Sequence, residues 1–190
     1  MGQKTLVGGF STKELTVCAL FGALLFFLVF LLGAGVVTVT GIPVSGGLAN
    51  MMVALLVLTI GKRIVDRFGS AALICVVSGI LAIPTISWGP PGVYKVFLLL
   101  AIGLAYDIPY HLQRQNRWRE FIAGGTVGVI AAPTMYLFLS VLGLPGADKL
   151  APLVAVFMVV YAVLASAGAH FGKWIYETKL KNRAFLRALS

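Results

Sequence analysis

Acidic side chains are scarce in this sequence: six Asp and Glu stand against fifteen Lys and Arg in 190 residues, a net charge of +9. Charged residues of both signs make up only 11% of the chain, where an ordinary globular domain carries roughly a quarter. That excludes a typical soluble domain. It excludes disorder as well, since disordered chains are polar and charge-rich. Cysteine is nearly missing too: Cys18 and Cys75 both lie inside apolar runs, so no disulfide framework exists and each reads as a small hydrophobe. There is no Gly-x-x-x-x-Gly-Lys-Ser/Thr phosphate loop, no His-Glu-x-x-His, no paired Cys-x-x-Cys and no Gly-x-Ser-x-Gly. The two histidines, His111 and His170, fall in different segments, so no metal set is expected. On these absences the chain is expected to hydrolyse no ATP, to hold no cofactor and to carry no catalytic residues.

What the sequence has in abundance is apolar length. Hydrophobic residues are 59% of the chain and the mean hydropathy is +0.99. A helix needs ~20 residues to cross a hydrocarbon core of ~30 Å. Six stretches approach that length, at about residues 15–37, 48–64, 71–87, 93–110, 121–142 and 150–174. The fold class expected is an all-α membrane protein with six transmembrane helices in one domain, followed by a basic tail over 175–190. Ser11 or Thr12 caps the first helix, and the prolines and glycines of Ser87-Trp88-Gly89-Pro90-Pro91-Gly92 break the chain between spans 3 and 4. A cleaved signal peptide is a rival for span 1, but its apolar core exceeds the usual 7–15 residues of such segments, about 15 at most.

Charge sets the orientation. With six spans, one face receives the N-terminus, the 2–3 and 4–5 loops and the tail, and thirteen of the fifteen basic residues with them; the other face has only Lys95 and Lys149. The positive-inside bias then places both termini in the cytoplasm of a plasma-membrane protein. The same bias accounts for the net charge without a nucleic-acid partner. Mid-span ionisable groups, which self-sufficient secondary transporters use for ion coupling, are almost missing.

Small residues mark helix faces that let backbones approach in lipid. Ala19 and Ala23 form such a pair in the first helix, with Gly22 beside them. Gly124, Gly128 and Ala132 in span 5, and Ala162, Ala165, Ser166, Gly168, Ala169 and Gly172 in span 6, read as packing faces within the bundle. In the 3–4 connection Trp88 and Tyr94 suit stacking on a planar molecule and Lys95 suits an anionic group, although an interfacial aromatic belt with a snorkelling lysine uses the same residues. Further candidates at that end are Asn50, Tyr136, Ser140, Met158 and Tyr161. Asp107 and His111, spaced to share a helix face near Arg114, offer a carboxylate–imidazole pair but no nucleophile.

With its size, its six expected spans, the Ala19-x-x-x-Ala23 motif and the short Gly61-Lys62-Arg63 turn, the chain resembles the substrate-binding S components of energy-coupling-factor (ECF) vitamin transporters. The resemblance covers nearly the whole chain and is one of architecture and position. It implies a specificity subunit of an ABC-type importer that captures a small vitamin-like molecule outside. Ala19 and Ala23 would dock on a transmembrane coupling subunit carried by two ATPase subunits, which bind the ATP. It implies a substrate site near the outer surface, where Trp88, Tyr94, Lys95, Asn50, Tyr136, Ser140, Met158 and Tyr161 are the matching candidates. The turn Gly89-Pro90-Pro91-Gly92-Val93-Tyr94 is similar to that of biotin-type members and agrees with a carboxylate-bearing substrate. The N-terminal metal-binding His of cobalt and nickel members has no counterpart in Met1-Gly2-Gln3. The rival functions are a stand-alone transporter or channel, and a membrane-embedded enzyme centred on Asp107 and His111.

Overall fold

The computed structural model describes residues 9–40, 43–88, 90–143 and 151–181, and these are helical apart from their turns. Among these residues six α-helices follow one another: α1 (Thr12–Thr40), α2 (Pro43–Ile64), α3 (Ser70–Ala82), α4 (Tyr94–Leu112), α5 (Arg119–Val141) and α6 (Val154–Ile175). A 3-10 turn, Ala151–Leu153, leads into α6, and a π-helical turn, Tyr176–Leu180, continues from it. The tail beyond residue 181, Asp148 and Lys149 lie outside the described residues.

Ser11 is the residue that starts α1. Its hydroxyl accepts from the Glu14 amide (3.3 Å) while Glu14 Oε2 accepts from the Ser11 amide (2.8 Å), a reciprocal capping box. Gly69, at φ 88°, supplies the left-handed turn that lets α3 reverse onto α2. The helices close into a ring in which α1 packs on α2, α2 on α6, α6 on α5, α5 on α4, α4 on α3 and α3 back on α1, with α2 also reaching α3. The core inside it is built from Leu25, Val29, Leu55, Leu58, Ile74, Leu98, Leu99, Tyr106 and Val127.

Among the described residues, four helical stretches are long and apolar enough to cross a membrane: Thr12–Val36, Tyr94–Leu112, Arg119–Val141 and Ala151–Leu180. The chain is therefore a multi-pass membrane protein by length and hydropathy. The expected six spans are met by six helices, but α2 and α3 are not among those four. The span expected over 71–87 ends at Ala82, and 13 residues rise only about 20 Å. Pro84, which lacks an N–H, stops this helix well before the paired prolines do. Helix α2, at 22 residues, has the length to cross, with Lys62 and Arg63 at its end.

Small residues hold the ring tight on one side. A Cβ on Gly128 would overlap the backbone of Tyr161 and Ala162, and one on Gly168 would overlap the Met52 carbonyl. Gly124 likewise faces Ala165 and Ala169, and Gly172 faces Leu56 and Thr59. The faces read as internal packing surfaces on α5 and α6 are thus used as expected. Close approach raises the dispersion contacts that hold helices together where no hydrophobic drive operates.

Candidate functional site

The two ends of the bundle position very different polar chemistry. At the end where α1, α3 and α5 start and α2, α4 and α6 stop, the five described carboxylates each lie within 4 Å of a cation. Deepest is Asp107, fully buried with Lys62; Lys62 Nζ donates to Asp107 Oδ1 at 2.5 Å and to the Arg67 carbonyl. Asp107 Oδ2 accepts from the Ala72 amide at 3.0 Å, one of the free N–H groups in the first turn of α3. His111 Nε2 stands 3.1 Å from Lys62 Nζ, so Asp107 and His111 do converge, with Lys62 between them. The Tyr110 ring closes over the ammonium at 5.1 Å.

A second network surrounds Glu120, 1% exposed in the first turn of α5. Its Oε1 accepts from Arg63 Nε (3.0 Å), Arg63 Nη2 (2.5 Å) and Arg119 Nε (3.0 Å), and its Oε2 lies 3.4 Å from Lys173 Nζ. Arg63 also reaches Glu177 beyond α6, so one guanidinium ties α2 to α5 and α6. Glu14 of α1 pairs with Arg67 at 2.7 Å. Arg114 is further out, 3.9 Å from Asp66 and exposed.

These buried pairs are what reading the sequence segment by segment misses, because Lys62, Arg63 and Glu120 look like loop charges at span ends. Helical periodicity held the signal. Met51, Leu55, Leu58 and Lys62 follow one stripe of α2, and Glu120, Ala123, Gly124 and Val127 follow one stripe of α5. A charge that continues an apolar stripe is buried with its helix, and a buried charge needs a partner.

At the opposite end the candidates for substrate contact form smaller groups. Trp88, Tyr94 and Lys95 come together in the connection between α3 and α4. Trp88 holds a left-handed backbone (φ 63°), and its indole Nε1 is buried with no hydrogen-bond partner among the described residues. The Tyr94 hydroxyl donates to the Pro90 carbonyl (2.9 Å), and its ring meets Phe138 of α5 at 6.3 Å. Lys95 does not snorkel: it is fully buried, and its ammonium donates to the carbonyls of Ala82 (3.0 Å) and Thr85. It thus satisfies acceptors left open where α3 stops.

Asn50 lies against Gly33 of α1 and its Oδ1 is buried without a partner among the described residues. Tyr161 packs its hydroxyl toward Gly47, one turn before Asn50 on α2, and stacks on Phe157 at 5.4 Å. Tyr136 and Met158 are half-buried and Ser140 is exposed. Among the described residues no hydrogen bond or ring contact ties these last three to the Trp88 group.

On α1 the small pair is divided from its glycine. Gly22 is buried against Ile74 and Val77 of α3, whereas Ala19 is exposed and Ala23 half-exposed. Leu20, Leu24, Phe27 and Leu31 extend the same outward apolar surface. Comparison with protein families, with curated proteins and with solved structures finds no match to this chain.

Proposed function

We propose that this multi-pass membrane protein is the substrate-binding subunit of an ECF-type importer, with the basic end of its bundle in the cytoplasm. It captures a small vitamin-like molecule at the opposite end and delivers it inward by docking on a coupling subunit whose two ATPase partners hydrolyse the ATP. The observation that carries this reading is the open Ala19–Ala23 face of α1. Every comparable small-residue face on α5 and α6 is filled by a neighbouring helix, while this one points out of the bundle. A surface of that kind admits the close backbone approach of another transmembrane helix.

At the capture end, the buried Asn50 Oδ1 and Trp88 Nε1 supply an acceptor and a donor that a bound molecule can satisfy. Lys95 contributes by holding the α3–α4 connection in place, so its loss weakens binding through the shape of that turn as well as through charge.

The test is a thermal-shift screen of the detergent-purified chain against water-soluble vitamins and their precursors, followed by uptake assays with the Ala23→Trp variant. A ligand at 100 times its dissociation constant adds ~2.7 kcal/mol of stability. Ala23→Trp is expected to bind normally and to lose uptake; uptake at the normal rate removes the docking face. A second reading, a stand-alone transporter, draws on the buried Lys62–Asp107 pair, since intramembrane ion pairs mark coupling sites. Proteoliposomes containing this chain alone separate the two, because only the stand-alone transporter accumulates substrate without ATPase partners.

A further inference from the structure

A cleft of about 240 Å³ opens at the basic end between the start of α5 and the last two turns of α6, lined by Arg117, Trp118, Glu120, Phe121, His170 and Lys173. Two cations line it, Arg117 and Lys173, with Arg63 and Arg119 held on the Glu120 carboxylate behind them. Glu120 is already met by Arg63, Arg119 and Lys173. Arg117 is left over: it is exposed, no described carboxylate lies within 4 Å of it, and its guanidinium rests on the Trp118 ring at 5.1 Å. Lys173 Nζ is fixed beside it by donating to the Arg117 carbonyl at 2.6 Å.

The walls are of another kind. Trp118 and Phe121 meet edge to face at 6.1 Å and are each nearly half exposed, and Phe171 and Trp174 continue an exposed aromatic collar on α6. Aromatic rings of this sort gather at the level of lipid headgroups.

We propose that this cleft binds the phosphate headgroup of an anionic phospholipid, with Arg117 and Lys173 on the phosphate and Trp118 and Phe121 against the glycerol and upper acyl region. A free phosphate in solution finds the same cations but makes no use of the collar, which is why the lipid is the source chosen. The inference requires only that the chain crosses a membrane and is independent of what it transports.

The experiment uses the full chain purified in a neutral detergent, titrated with phosphatidylglycerol, phosphatidylcholine or inorganic phosphate, with native mass spectrometry and thermal unfolding as readouts. Phosphatidylglycerol is expected to stay bound and raise the melting temperature, and phosphatidylcholine to do neither. Arg117→Ala is expected to melt normally without lipid and to bind phosphatidylglycerol about fivefold more weakly, the share of one interfacial cation. Arg117→Lys restores most of that affinity. Equal binding of the two lipids, or unchanged affinity in Arg117→Ala, overturns the site. Displacement of phosphatidylglycerol by millimolar inorganic phosphate overturns the lipid as its occupant.

Discussion

The basic end of the bundle and its opposite end solve the burial of polar groups in contrary ways. At the basic end charges are buried in matched sets, Lys62 with Asp107 and Glu120 with Arg63, Arg119 and Lys173, and each set joins helices far apart in the chain. At the other end the one described cation, Lys95, is spent on backbone carbonyls, while Asn50 Oδ1 and Trp88 Nε1 are buried with no described partner. A buried pair is costly to break, because removal of one member strands a charge in a poor solvent. An unpaired amide or indole is costly to keep. The contrast is one of charge: at the basic end the Tyr110 hydroxyl and Glu120 Oε2 also lack a hydrogen bond among the described residues, but the charges there are paired, whereas the unpartnered groups of the other end are neutral.

The strongest way to break that comparison is at Asp107. Asp107→Ala is expected to destabilise the protein by about 3–5 kcal/mol, measured as denaturant-induced unfolding in detergent, because Lys62 is left buried alone. The double change Lys62→Met with Asp107→Leu is expected to recover most of the loss. If the single change costs less than ~1 kcal/mol, the pair does not anchor α2 to α4.

Lys95→Met comes next. It removes the donor to Ala82 and Thr85, and a loss of about 1.5–3 kcal/mol is expected, the range for hydrogen bonds to charged groups. On the function proposed above, ligand binding falls with it. Binding that weakens while stability holds would instead place the ammonium on the ligand.

Ser11→Ala, which deletes the α1 cap, is expected to cost about 1 kcal/mol by the same measurement. Asn50→Leu is the smallest in stability and bears most directly on the proposed capture of a ligand at the opposite end. Since Asn50 Oδ1 has no described partner, unfolding is expected to shift by less than ~1 kcal/mol, while ligand affinity falls. A large loss of stability with intact binding would show that the amide serves the fold.

Much of the architecture was legible without coordinates. Hydrophobic length foretold six helices, the Pro-Gly segment foretold the break before α4, and Gly128 and Gly168 fell on faces read as internal. The errors have local causes. Hydropathy continues past Pro84 and carries the expected span 3 to residue 87, whereas the helix stops at Ala82. The site was less legible than the fold. Lys95 stands out in the sequence as one of two basic residues on its face, yet its contacts with Ala82 and Thr85 depend on how the α3–α4 connection folds back.

Composition alone settled the solvent in which this chain folds: with so few charges and so much apolar length, helices that satisfy their own backbones are the structure a membrane permits. The crowding of cations at one end followed from the same sequence, since it needs only the order of spans and loops. Which charges would be buried, and with whom, required the ring of helices. Lys62 and Asp107 meet because α2 and α4 both run to the basic end, where the start of α3 draws them together. Ala19 and Ala23 are open for a similar reason. Small residues make a face close-packing in either case, but whether it is filled depends on which helix lies next to it, and beside α1 the ring leaves that place vacant.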